Sequence, residues 1–258
     1  MPKPSQVELG DGTRIPILYE DRSVLALDKP PGWMLVPYSW QNTSLNLQAA
    51  LVSSIAAGQF WARSRGIKFL RHIHRLDAGT TGILLFAKSP GALDTFGGLF
   101  ESRQMKKIYL GVVCGEPKLA EWTCSLKLAP DPRQAGRNRV DDRDGKESET
   151  HFKLLASRGG FSLIEARPVT GRTHQIRIHL AEAGLPITGD ELYGQTPPRK
   201  GREVESLGLR AVSLAYIDPF TRRPVSIQAP TEAFLAKHGF GSGATKRGTP
   251  PPPPGAGG

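Results

Sequence analysis

Two short stretches hold most of the residues able to do chemistry. The first, Arg71-His72-Ile73-His74-Arg75-Leu76-Asp77-Ala78-Gly79-Thr80-Thr81-Gly82, sets one carboxylate among two histidines and two arginines. Asp77 is there either a turn-former beside a basic surface or a reactive group that its neighbours keep ionised. The second, Pro168 to His179 (PVTGRTHQIRIH), is also rich in cations. If Thr173 caps a helix, Arg177 lies in its first turn, where a cation opposes the macrodipole at ~0.3–1 kcal/mol. A local rule broken in this way marks a functional site, or else Arg177 simply snorkels to solvent. A metal centre fits poorly. His174 and His179 stand five apart, so on a helix they diverge by roughly 140° and share no face. The H-E-x-x-H pattern is absent and carboxylates are scarce around the histidines.

The surrounding elements have to position these groups. Ile15–Tyr19 and Ser23–Leu27 read as a strand pair around a charged turn, ended by Pro30-Pro31-Gly32. TSLNLQAALVSSIAAG has near-helical spacing of Leu45, Leu47, Ala50, Leu51 and Ile55, with Gly58 as its stop. GILLFAKS reads as a buried strand, SPGALDTFGGLFESRQ as a short helix and KKIYLGVVCG as a strand. A polar loop follows from about Pro130 to Lys146. ETHFKLLAS and FSLIEARPV flank Arg158-Gly159-Gly160 as a hairpin. THQIRIHLAEAG is a helix capped by Thr173 and closed by Gly184, and LRAVSLAYIDP is a late strand. Strands outnumber helices and several join through hairpins. The expected class is α+β, a mixed, mostly antiparallel sheet with flanking helices and loops. The expected division is an N-terminal arm over 1–14, a catalytic domain over 15–237 and a disordered Pro/Gly-rich tail over 238–258.

The 258 residues can bury a sizeable core. The net charge of +10, only +3 of it beyond Glu232 (Lys237, Lys246, Arg247), favours an anionic partner such as nucleic acid. Cys114 and Cys124 are the two cysteines, too few for a disulfide framework. The N-terminus shows no apolar signal region, and no apolar run is long enough to span a membrane, so a cytoplasmic protein is expected.

Taken together, these blocks resemble the RluA-type RNA pseudouridine synthases from about Ile15 to Pro230. ILYEDRSVLALDKPPGWMLVP is similar to that family's first block, and HRLDAGTTGILLFAKS to its catalytic signature. KIYLGVVCG resembles its K-x-Y block and GKESETHFKLL its G-K-x-x-x-T block, while GRTHQIRIHLAEAGLPITGDELYG resembles its third signature almost residue for residue. Three positions depart from the pattern. Thr81 stands for the usual Ser and keeps the hydroxyl, Gly111 stands for Ala, and Arg210 stands for a His near the family's site. The N-terminus is too short for the S4-type RNA-binding domain of many relatives.

The resemblance implies cofactor-free isomerisation of uridine in structured RNA, ribosomal or transfer. It implies Asp77 as the catalytic carboxylate, with its choice between sugar attack, base attack and proton removal left open. Arg177 becomes the partner cation and Tyr109 the aromatic that stacks on the extruded base or helps move its C5 proton. His74, Arg75, Thr81, Lys107, Arg172, His174 and Gln175 are the implied RNA-binding residues. Lys106 and the arginines between Arg133 and Arg143 are further phosphate candidates. No metal, membrane or obligate protein partner is implied, and a monomer is expected. Two rival readings are a catalytically silent RNA-binding module on the same fold and a histidine-based metal nuclease. A silent binder would not need Asp77, Tyr109 and Arg177 together, and a nuclease would need paired carboxylates.

Overall fold

The computed structural model describes residues 2–35, 45–194 and 206–241. In chain order the elements are β1 (Gln6–Glu8), β2 (Arg14–Glu20), β3 (Val24–Lys29), α1 (Leu47–Ala56), α2 (Phe60–Arg63), β4 (Arg71–His72), β5 (Thr81–Ala87), α3 (Pro90–Glu101), β6 (Lys106–Cys114), β7 (Glu121–Pro130), β8 (Asn138–Val140), β9 (Lys146–Arg158), β10 (Phe161–Pro168), α4 (Gln175–Glu182), β11 (Leu209–Ile217), β12 (Pro224–Gln228) and α5 (Glu232–Lys237). Ten strands form one path, β1-β2-β3-β5-β11-β6-β10-β9-β7-β8, with β12 on β11 and β4 on β5. Among the named strands of the described residues, β5 and β11 pair in parallel and the other pairs are antiparallel. The class is the α+β arrangement expected.

Side-chain alternation explains why β3 and β5 are continuous apolar runs. Leu25, Leu27, Leu84 and Phe86 pack into one core with α1 and α2, whereas Val24, Ala26, Ile83 and Leu85 face a second core with Phe96 of α3. A strand covered on both faces has no reason to alternate with polar residues. Local chemistry sets the turns. The Asp21 carboxylate accepts from the Ser23 and Val24 amides and closes the β2–β3 hairpin. Gly159 and Gly160 both take positive φ, 60° and 81°, which the β9–β10 turn requires. Gly82 is fixed by contact, because a Cβ there would lie 2.1 Å from the Ala211 carbonyl oxygen on β11.

Several expectations change. The stretch taken as a loose arm carries β1, and Val7 and Leu9 sit in the core. β7 was not foreseen, because its half-exposed residues alternate with Lys and Ser. The loop from Pro130 to Lys146 holds β8, paired with β7. Thr173 does not cap α4. That place belongs to His174, in the left-handed region at φ 58° with no side-chain capping bond, although Gly184 does follow the helix, at φ 75°. At the other end, Phe240 packs against Leu110, Val112 and Leu163, so the first residues assigned to the tail belong to the fold. Residues 242–258 lie outside the described residues.

Candidate active site

The 71–82 stretch runs through β4 into the start of β5, and Asp77 sits on the loop between them. That loop is pinned from two sides. Gln48 of α1 is buried, donates to the Leu70 carbonyl and accepts from the His72 amide. At the end of β3, the fully buried Lys29 ammonium donates to the carbonyls of Ala78 (2.8 Å) and Pro30 (2.9 Å). Burial pulls the Lys29 pKa down to about 7, and the Asp77 charge opposes that pull. The Gly32 amide also donates to the Ala78 carbonyl, so two bonds converge on that oxygen and hold the main chain beside Asp77.

Arg177 rises from the first turn of α4 toward this loop. Its Nη1 donates to Asp77 Oδ2 at 3.3 Å, while Nε and Nη2 form a fork on Asp190 at 2.8 and 2.7 Å. Side-chain exposure falls along the chain of charges, from 16% for Asp77 through 8% for Arg177 to 1% for Asp190. Burial works against the Arg177 charge, but its bonds to Asp190 and the nearby Asp77 outweigh it and raise the pKa. Burial likewise works against the Asp190 charge, but the Arg177 bonds and the amides of Tyr193 and Leu192 bring its pKa below the ordinary range. The Tyr193 ring lies 5.2 Å from the Arg177 guanidinium carbon, and its hydroxyl is 2.9 Å from His174 Nδ1. The unfavourable helical position of Arg177 is thus met by a buried carboxylate, which accounts for a cation at that terminus.

Asp77 and Arg177 share a pocket of about 90 Å³ whose lining includes Arg75, Thr80, Lys107, Tyr109, Arg172, His174 and Gln175. Tyr109 comes from β6. Burial and the Asp77 charge raise its pKa, so the phenol keeps its proton. His174 Nε2 stands 3.8 Å from Asp77 Oδ1, and burial lowers its pKa although Asp77 opposes the shift. Gln175 lines the pocket but its amide is committed to the fold: Oε1 accepts from the Thr170 hydroxyl and the Arg172 amide, and Nε2 donates to the Glu149 carbonyl and Thr150 Oγ1.

Of the residues singled out in the sequence, His74 and Thr81 do not line this pocket. His74 Nε2 accepts from the Leu85 amide and its ring stacks on Phe100, with burial lowering its pKa to about 3. Thr81 begins β5 and pairs with Arg210 in register, while its neighbour Thr80 faces the pocket. The Thr80 hydroxyl is buried and has no partner among the described residues. Arg210 also departs from expectation. Leu209 lines the pocket, whereas the Arg210 guanidinium forks onto Asp28 at 3.0 and 2.8 Å and donates to the Pro230 carbonyl. Sequence reading missed Lys29, Thr80, Asp190 and Tyr193. The last two lie inside the quoted GDELYG, thirteen and sixteen residues past Arg177, where only folding shows their use.

Among the described residues, no three His, Cys, Asp or Glu side chains gather as metal ligands, and no helix is long and apolar enough to cross a membrane.

Comparison with known proteins agrees with this geometry. The pattern of the RNA pseudouridylate synthase family matches residues 23–182. An uncharacterised RNA pseudouridine synthase of Zymomonas mobilis is 34% identical over 227 residues, covering 87% of this chain and 97% of its own. The ribosomal large subunit pseudouridine synthase C of Salmonella typhimurium is also 34% identical, over 86% of this chain and 68% of its own. Its Escherichia coli K12 counterpart is 33% identical with the same coverage. Among solved structures, human RNA pseudouridylate synthase domain containing 4 superposes with a TM-score of 0.68 at 22% identity, over 86% of this chain and 90% of that one. Human RNA pseudouridylate synthase domain containing 1 gives 0.63 at 24% identity, over 84% and 83%. The two human structures establish the likeness of fold, and the matched family pattern takes in Asp77, Tyr109 and Arg177 on the elements just described. On these grounds the chain belongs to the RluA-type RNA pseudouridine synthases, isomerases of RNA uridine.

Proposed function

We propose that the enzyme isomerises particular uridines of ribosomal RNA, with Asp77 as its reactive carboxylate and without a cofactor. The observation that carries this reading is the single long bond, 3.3 Å, from Arg177 to Asp77, set against the short fork that ties Arg177 to Asp190. Arg177 is anchored elsewhere, so it aims the Asp77 carboxylate while leaving lone pairs on it open to a nucleoside. In the overall conversion the N1–C1′ bond breaks, the uracil turns, C5 joins C1′, the C5 proton leaves and N1 gains one. The base has to leave its stack to reach Asp77. Tyr109 offers a ring face to it, worth roughly 1–3 kcal/mol in stacking systems, and a protonated hydroxyl as donor. Arg75, Lys107 and Arg172 ring the mouth as cations for the adjoining phosphates. Ribosomal RNA is favoured over transfer RNA because two of the relatives bear the name ribosomal large subunit pseudouridine synthase.

Mapping pseudouridine in total RNA from cells with and without this gene tests the reading. Loss of one or a few ribosomal sites is expected. Loss confined to transfer RNA would overturn the substrate assignment, and no loss anywhere would overturn the activity assigned to this chain.

A further inference from the structure

A second depression of about 350 Å³ adjoins the Asp77 pocket, which measures about 90 Å³. The two share Arg75, Lys107, Tyr109 and Arg172, so they form one continuous trough. Its outer wall is the C-terminal end of α3, where Phe100, Glu101 and Arg103 line it. In the second depression four cations, Arg75, Arg103, Lys107 and Arg172, therefore face one carboxylate, Glu101. None of the four forms a salt bridge among the described residues. Among the described residues Lys107 donates to the Thr170 carbonyl, and burial pulls its pKa to about 8. Cations that outnumber the acids beside them repel one another, and such an arrangement suits an incoming anion.

Two local features point to a nucleotide rather than a bare anion. Phe100 is stacked on His74, ring centroids 4.6 Å apart, and His74 is itself fixed by the Leu85 amide, so the aromatic wall is rigid. Arg103 occupies the position after the Ser102 cap at φ 60°, a place that glycine usually fills. The chain thus keeps a guanidinium at the groove where the backbone favours no side chain. Cations beside an aromatic face are the pattern of single-stranded nucleic-acid grooves.

We infer that this groove holds the nucleotide next to the target uridine, its phosphate among Arg75, Lys107 and Arg172, its base against Phe100, and Arg103 toward the phosphate beyond. The inference rests on the reading that the uridine occupies the Asp77 pocket. Binding of uridine 5′-monophosphate and of the trinucleotide ApUpA, followed by NMR titration at low salt, separates the two claims. ApUpA should bind about ten-fold more tightly than the mononucleotide. Phe100→Ala and Arg103→Gly should each remove most of that gain and leave mononucleotide affinity within about two-fold, since neither residue lines the Asp77 pocket. Glu101→Gln should increase the gain. Arg103→Gly suits its backbone, so a melting temperature at or above the parent's serves as the control for folding. A mononucleotide that shifts Tyr109 resonances while ApUpA gains nothing, or a gain that survives both variants, would overturn the groove assignment alone. A mononucleotide that leaves Tyr109 unmoved would overturn the placement of the uridine and the groove assignment with it.

Discussion

Replacing Asp190 by asparagine isolates the anchoring of Arg177 from the carboxylate proposed to react, Asp77. In the parent, Asp190 accepts two charge-assisted bonds from Arg177 at 2.8 and 2.7 Å, and its Oδ1 also accepts the amides of Leu192 and Tyr193. Asparagine keeps one acceptor oxygen, so the two amides and one guanidinium bond survive, the last weakened because its acceptor is no longer ionised. The other position becomes an NH2 facing the Arg177 Nε–H, donor against donor. Losing one charge-assisted bond costs about 1.5–3 kcal/mol, and unpairing a buried ion pair completely costs about 3–5. An intermediate loss of roughly 2–4 kcal/mol follows, read as a fall in melting temperature of roughly 5–15 °C at this chain length. The guanidinium then recentres on Asp77, its remaining carboxylate partner at 3.3 Å, and covers oxygens that should face the nucleoside. Turnover should fall about 10–100-fold, ~1.4–2.8 kcal/mol in barrier. RNA affinity should stay within about two-fold, because Asp190 is 1% exposed and touches no solvent-facing groove. Single-turnover pseudouridine formation at 25 °C, paired with filter binding and thermal melting, measures all three. Parental turnover in a protein whose melting temperature has dropped would refute the idea that Asp190 aims Arg177 for the reaction.

Other outcomes follow from the same geometry. Arg177→Ala should reduce turnover far more than RNA affinity; equal losses in the two assays would make Arg177 a phosphate contact instead. Acid should weaken the fold through His179, which is fully buried, 2.8 Å from the Ser148 hydroxyl, and held by burial at a pKa of about 4. Above the ordinary value of 6.5 both folded and unfolded chains carry it neutral. As pH falls from 6.5 to 4 the unfolded chain takes up a proton that the folded one refuses, removing ~3 kcal/mol of stability. Urea unfolding across that range should show a steeper loss for the parent than for His179→Gln, and parallel curves would contradict the assignment.

Much of the fold was legible because the sheet centre is covered on both sides. The unbroken apolar runs of β3 and β5 could be little else, and the Gly159-Gly160 pair marks its hairpin openly. What escaped was structure with little apolar content of its own. β1 contributes only Val7 and its neighbour Leu9 to the core, and β7 alternates half-buried groups with polar residues such as Thr123 and Ser125. The α4 cap escaped for a different reason. Thr173 has the better side chain for capping, but the chain reverses through His174 in a left-handed conformation that composition does not announce. The site was legible where family motifs name residues. Asp77 and Arg177 are one hundred positions apart, and spacing alone says nothing of their meeting. Asp190, Lys29 and Tyr193 act through other groups. Each is an ordinary residue type whose importance comes only from where the fold buries it.

The most direct test is Asp77→Asn, assayed as purified protein on the RNA site identified by mapping. Asp77 holds Arg177 through one 3.3 Å bond while Asp190 supplies two shorter ones, so the variant should stay within about 1 kcal/mol of the parent in stability. It should bind RNA nearly as well and form no pseudouridine over many parental turnovers. A purified, folded variant that still converts uridine near the parental rate would contradict the assignment of the reaction to this carboxylate.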